Sequence, residues 1–469
     1  MFIMKKILHA AVLAGWAAAL PLSACAQAPV LTTFPVGATT VTVSALATNL
    51  NTVWELAWGP DNFIWMTERY GRISRVNPAT GQVLPLLTLP DVTPIGESGL
   101  LGLALHPQFA TSPFVYVVYN YTDVGGLKEK LVRYTYSAAA GTLTAPLVLL
   151  GGIDATTSHS GSRLLVLADG TLLMSTGDAQ LQPQAQNAAS LNGKMLRLNL
   201  DGTVPATNPT AGSRVYTLGH RNPQGLVQLP NGNVYSSEHG PSNDDEINKI
   251  EAGRNYGWPN VEGYCNLPAE ITFCAANNVR EPLTTWTPTI APAGLTYYDH
   301  PAIPGWRNSL LLAVLKNARL VQLNVQPSGS VTKAPVDFLT TFGRLRAICV
   351  SPQGKVYVGT SNRDGRGNPA ATDDRILVLE NRAFVASATR PAGSAPFELF
   401  PNPAHRQATV QLPAGFSVLT VRDLLGRPVS TLQPTGPTAT LDLRALPPGT
   451  YLVQADGTAG RATRKLTVE

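Results

Sequence analysis

The sequence predicts an all-β chain: a six-bladed β-propeller followed by a small Ig-like β-sandwich. Three observations carry this. A strand–turn–strand pattern recurs six times before residue 384. Gly (41) and Pro (38) are frequent, as a turn-rich β protein requires, and charged residues make up only 14% of the 469, against roughly 25% in ordinary soluble proteins. Over residues 384–396 the composition shifts to Ala, Ser, Thr, Pro and Gly, which marks a linker before a second β-rich segment.

Taken in order, the chain opens on an export signal, residues 1–26. Lys5 and Lys6 precede an apolar run that is short for a membrane span, and Ala24-Cys25-Ala26 supplies small residues for cleavage. Leu22-Ser23-Ala24-Cys25 also reads as a lipobox, which leaves lipid anchoring at Cys25 as the alternative. No later stretch is apolar enough to span a bilayer, so the mature chain is expected outside the cytoplasm, secreted or at the cell surface, where disulfides form. Cys265 and Cys274 flank a short polar loop that a disulfide could close, and Cys349 sits in an apolar run as a buried small hydrophobe. The net charge of +5 is spread along the chain without a basic stripe, which excludes a nucleic-acid footprint.

The propeller is expected over 38–383. The six copies start near residues 53, 99, 163, 224, 293 and 346. Each pairs two β-rich runs across a turn such as PDN, ADG, PNG or PQG. Several are followed by a third strand, as in GKMLRLNLDG and DDRILVLEN. Spacings of about 45–70 residues suit four-stranded blades with loop insertions. A β-sandwich with a separate domain accounts for the repeat less well. The tail, 397–469, shows short strands around LFPNPA, VRDLLGRPV, LDLRALPPGTYLV and RKLTV. Those motifs resemble the C-terminal sorting domain of type IX secretion cargo, which implies the type IX machinery as a partner.

Polar residues cluster at strand ends in 219–257, GHRNPQGLVQLPNGNVYSSEHGPSNDDEINKIEAGRNYG. A core strand gains nothing from them, because buried polar atoms need partners, so they read as the rim of a site. YTLGHRNPQG, SEHGPSNDDEIN, GRNYGWPN, GWRNSLL and LKNARL, in this order, resemble the soluble quinoprotein glucose and aldose sugar dehydrogenases. The resemblance spans most of the propeller. It implies pyrroloquinoline quinone (PQQ) and Ca2+ as cofactors, an aldose substrate oxidised to its lactone, and an external electron acceptor.

The resemblance also implies roles. His159 matches the general base that takes the hydroxyl proton as hydride leaves. Arg221 matches the cation that stabilises charge developing on the quinone oxygen, and Asn222 its neighbour against the cofactor. Lys316, Arg344 and Arg346 match the partners of the quinone carboxylates. Gly240 and Pro241 match carbonyl ligands of the cofactor's calcium. Glu246 and Tyr256 match a structural calcium site. Trp286 matches a tryptophan near the sugar, and Glu97 stands where glucose-oxidising relatives tend to have glutamine. Ser158, Ala179 and Leu283 also depart from the glucose-oxidising pattern. The cofactor set therefore matches while the sugar side differs, which favours a broader aldose or another alcohol over glucose. A calcium-dependent lactonase-type propeller and a non-catalytic sugar-binding propeller are the alternatives.

Overall fold

A computed structural model describes residues 28–384, 397–423, 427–457 and 460–469. The export segment 1–26 with Cys25, and the linker after residue 384, lie outside the described residues. The chain divides into two compact units between Phe384 and Val385.

The first unit is a ring of six antiparallel sheets. Strands such as LLGLAL (Leu100–Leu105), innermost in the second sheet, and SLLLAV (Ser309–Val314), second in the fifth, are apolar on both faces, because each sheet is covered on both sides by neighbours. The first sheet runs Val53–Trp58, Ile64–Glu68, Arg72–Val76 and Val83–Thr88, innermost to outermost. The second has inner strand Leu100–Leu105, the third Gly161–Val166, the fourth Pro223–Gln228, the fifth Pro292–Tyr298 and the sixth Leu345–Val350. Each innermost strand packs on the next, and Leu345–Val350 packs back on Val53–Trp58 to close the ring.

The ring is fastened by the N-terminus. Thr39–Ala47 pairs with Ile376–Glu380, and Val30–Val36 pairs outside it, so the sixth sheet combines both ends of the propeller. Val30–Val36 falls before the expected boundary at 38. Asp374, fully buried, accepts from the Thr52 amide at 2.8 Å and strengthens the same closure.

An apolar cluster fills every seam between sheets. The seam between the fifth and sixth holds Tyr298, Trp306, Leu311 and Val358. Each buried Leu, Val or Phe side chain there contributes about 1.5–3 kcal/mol through loss of contact with water. The seam between the third and fourth sheets has the smallest cluster, including Leu173, Met195, Leu226 and Tyr256. Buried polar groups take over at its upper end. His220 Nδ1 donates to Glu238 at 2.9 Å, and its Nε2 accepts from the Thr217 hydroxyl at 2.8 Å. The sequence-predicted site grows from this polar seam.

Cys265 and Cys274 are bonded, and they staple the helix Pro268–Ala276 in the loop before the fourth sheet's outer strand. Cys349 is buried and free. The second unit is a sandwich of a three-stranded and a four-stranded sheet around one core with Phe397, Val410, Leu419, Val453 and Leu466. Its strand Pro428–Leu432 is exposed along its whole length. Among the described residues, no helix is long and apolar enough to cross a membrane.

Candidate active site

A cavity of about 500 Å3 opens where the inner strands begin and the second strands end. A buried ion pair joins the inner strands of the first and third sheets. Arg163 on the third sheet reaches Glu55 on the first at 2.5 Å and donates from Nε to the Gln224 carbonyl of the fourth at 2.7 Å. Its guanidinium lies 4.2 Å from the centre of the Trp54 ring, and Trp54 lines the cavity.

His159 enters from the loop before the third sheet. Its Nδ1 lies 2.8 Å from Oδ1 of Asp178, which is fully buried. A carboxylate only accepts, so Nδ1 carries a proton, and in the neutral ring Nε2 keeps its lone pair. The backbone is strained on both sides of this pair: φ is +59° at His159, +49° at Ala179 and +62° at Gln180. Non-glycine residues rarely adopt such angles, and they concentrate where surrounding structure enforces them at functional sites. Gly177 is required here, because a Cβ would stand 1.8 Å from the His159 carbonyl oxygen. The following segment is pinned from below by Lys194, whose fully buried ammonium donates to the carbonyls of Gln184, Ala185 and Asn192 at 2.7–2.9 Å. Burial without a counter-ion pulls that ammonium down to about 7.

Glu97 faces His159 from the turn before the second sheet. Its Oε2 accepts from the His159 amide at 3.1 Å, and its Oε1 pairs with Arg366 at 3.0 Å. Burial pushes this carboxyl up, but the His159 amide and the Arg366 guanidinium outweigh it and leave it below the usual range. Ser158 also lines the cavity.

The opposite wall is cationic. Arg221, Lys316, Arg344 and Arg346 all line it. Arg221 Nη1 donates to the His239 carbonyl at 3.2 Å, and Lys316 Nζ donates to the Thr289 hydroxyl at 3.0 Å. Arg344 and Arg346 share one oxygen of Asp364, at 2.8 and 3.3 Å. Burial lowers Arg221, and lowers Arg346 to about 10. His239 donates from Nε2 to the Pro292 carbonyl at 2.8 Å and is held down to about 4 by burial, so it lines the cavity neutral.

Two expected residues stand differently. Asn222 is buried beside the cavity, outside its lining, and accepts from the Gly161 amide at 3.0 Å. Trp286, expected at the sugar, is not among the lining residues. It sits on the fourth sheet's outermost strand, with the Lys333 ammonium 4.3 Å from its ring.

The residues present fit a polyanionic cofactor. The wall carries more cationic than acidic side chains, and two buried donors, Arg221 Nε on the wall and Asn222 Nδ2 beside it, have no partner among the described residues. Gly240 and Pro241 line the same wall, and their carbonyls accept no hydrogen bond from the described residues. Gly240 is irreplaceable by shape, since a Cβ would meet the Asn243 carbonyl at 1.9 Å. Behind them, Glu238, Glu246 and Tyr256 line a second cavity of about 20 Å3, the size of a single ion or water. Glu246 is raised well above a normal carboxyl by burial and by Glu238 across the strand pair. The Tyr256 hydroxyl is committed elsewhere: it donates to the Lys249 carbonyl at 2.6 Å and accepts from the Glu251 amide at 2.9 Å. As a metal ligand, Tyr256 has only its main chain to offer. Among the described residues, no group of three or more His, Cys, Asp or Glu side chains gathers for a metal.

Residues 50–376 match the model of the glucose/sorbosone dehydrogenase family. The chain belongs to that family. Within it, the chain is 35% identical over 424 residues to the quinoprotein glucose dehydrogenase B of Acinetobacter calcoaceticus, covering 72% of this chain and 88% of that one. It is 31% identical to an aldose sugar dehydrogenase of Escherichia coli K12, covering 70% and 91%. The PQQ-bound aldose sugar dehydrogenase of Streptomyces coelicolor superposes with a TM-score of 0.65 at 33% identity, covering 74% of this chain and 99% of that one. Residues 398–469 match the secretion-system C-terminal sorting domain. The propeller is thus an oxidoreductase of the sugar dehydrogenase type, joined to a tail that marks the chain for export.

Two residues of the site escaped the sequence reading. Asp178 lies 19 positions from His159, just past the strand Thr171–Thr176, and the sequence gives no sign that it meets the imidazole. Asp364 lies in a loop that follows the arginine-bearing strand by a whole hairpin.

Proposed function

We propose that the chain is an exported, quinone-dependent aldose dehydrogenase. Supporting this most strongly is the cavity that sets a histidine–aspartate pair opposite a cationic wall with unpartnered buried donors. PQQ bound there with calcium would accept two electrons as hydride from the sugar's anomeric carbon. Lys316, Arg344 and Arg346 would hold its carboxylates, Arg221 and Asn222 its carbonyl edge, and the Gly240 and Pro241 carbonyls the calcium.

The protein's own part is proton transfer and orientation. His159 takes the anomeric hydroxyl proton at Nε2, while Asp178 holds Nδ1–H and stabilises the imidazolium that results. The C1–H bond breaks with its electron pair, and the lactone carbonyl forms. Asp364 holds Arg344 and Arg346 in place before any ligand arrives. Glu97, locked between the His159 amide and Arg366, narrows the sugar side. Where glucose-oxidising relatives tend to have an amide, it presents an acceptor-only group. Glu246, with the main chain of Tyr256, would bind a structural calcium in the second cavity.

A neutral lactone or a glycan needs no such cationic wall, so hydrolysis and simple sugar binding are less well supported. Reconstituted protein should reduce an artificial dye with some members of an aldose panel, and His159→Ala should abolish this. Turnover indifferent to His159 would overturn the reading. The export reading implies cleavage after residue 26 or lipidation of Cys25, and passage through the type IX machinery. Mass spectrometry of the mature N-terminus distinguishes the two.

A further inference from the structure

We propose that Trp258 is the positioning residue of the His159–Asp178 pair, through an indole hydrogen bond that fixes the aspartate's orientation. This rests on the proposed role of His159 as the base.

Trp258 lies 80 residues from Asp178, in the loop that climbs the polar seam after the fourth sheet's third strand. Its Nε1 donates to Asp178 Oδ2 at 2.8 Å, while Oδ1 faces His159 Nδ1 and also accepts from the Gln180 amide at 2.8 Å. The aspartate is fully buried, so an oxygen without a donor would be costly. The torsion that turns a carboxylate about its stem is broad and roughly two-fold. Only partners on both oxygens keep one of them on the imidazole.

Trp258 is itself held. Its amide donates to the Gly219 carbonyl at 3.0 Å, and its own carbonyl accepts from Gln186 Nε2 at 2.6 Å. Its ring lies beneath the Arg221 guanidinium, 5.3 Å from centroid to Cζ. The Arg221 carbonyl accepts the Asp178 amide at 2.8 Å. One side chain therefore touches both the acid that orients the base and the cation facing it. A tryptophan needed only for packing would not require its N–H to end on a buried carboxylate.

The test is Trp258→Phe, which keeps an aromatic ring beneath Arg221 and removes the donor. Three results are expected. In the dye assay kcat falls about tenfold, as loss of a hydrogen bond to a charged group implies, with KM for the sugar unchanged. In the Asp178→Asn background the same change has little further effect on kcat, because both act through one contact. In 15N-histidine spectra of the quinone-free protein, the His159 Nδ1 proton, hydrogen-bonded in the wild type, moves upfield or broadens. If phenylalanine destabilises the fold, benzothienylalanine at position 258 replaces N–H by sulfur at nearly constant shape and should give the same three results. An unshifted His159 resonance, or effects additive with Asp178→Asn, would overturn the proposal. If the wild type oxidises no sugar, the reading of the site fails, while the His159 resonance still decides what Trp258 does.

Discussion

His159 Nδ1 and Asp178 Oδ1 lie 2.8 Å apart, with the aspartate wholly shielded from water. Asp178→Asn preserves the shape but lets an amide N–H face the imidazole, which then takes the wrong tautomer. By analogy with other histidine–aspartate pairs, kcat should fall about a thousandfold or more. Steady-state kinetics check this, and quinone affinity should barely change.

Arg163 and Glu55 join sheets on different sides of the ring. Removing one partner strands a buried charge, so Glu55→Ala should cost about 3–5 kcal/mol. Replacing both, with Arg163→Met and Glu55→Leu, should cost clearly less. Urea unfolding of the single and double variants reads the difference.

Glu129 is buried against Ser162 and Asn120 without a cation, and burial lifts its carboxyl to about 8. The folded protein thus holds a proton that the unfolded chain releases from about pH 4.5 upward. This group's stability contribution is fully present below pH 4.5 and is lost as pH rises towards 8. Glu129→Gln should flatten that slope and stabilise the protein at pH 8 relative to the wild type, on the order of 3 kcal/mol. Denaturant midpoints at pH 5 and pH 8 test it.

The fold was readable because the first two strands of each blade carry their own apolar runs and turn residues. The closure was not: DDRILVLEN reads as a strand, but local sequence holds no trace of its pairing with Thr39–Ala47, so distant in the chain. The cationic wall was legible because LKNARL and GRLRAICV retain a specific pattern. Asp178, Asp364 and Trp258 act only through contacts made in three dimensions. Trp286 misled because an aromatic near a sugar site and one on an outer strand look alike in one dimension. For Tyr256, sequence does not show that its hydroxyl is spent on the Lys249 carbonyl and the Glu251 amide, which leaves its main chain for a metal.

Arg346 is nearly buried and shares Asp364 with Arg344. Arg346→Met should weaken quinone binding by about ten- to a hundredfold, the worth of one or two charge-assisted hydrogen bonds. Fluorescence titration measures it, with the Asp364–Arg344 pair left in place.

The central claim is most directly tested by titrating the calcium-loaded protein with PQQ, following absorbance, then adding aldoses and an artificial dye. The account predicts saturation at one quinone per chain, loss of binding when calcium is chelated, and dye reduction with at least one aldose. Protein that binds no quinone, or binds it yet oxidises no aldose, would contradict the account.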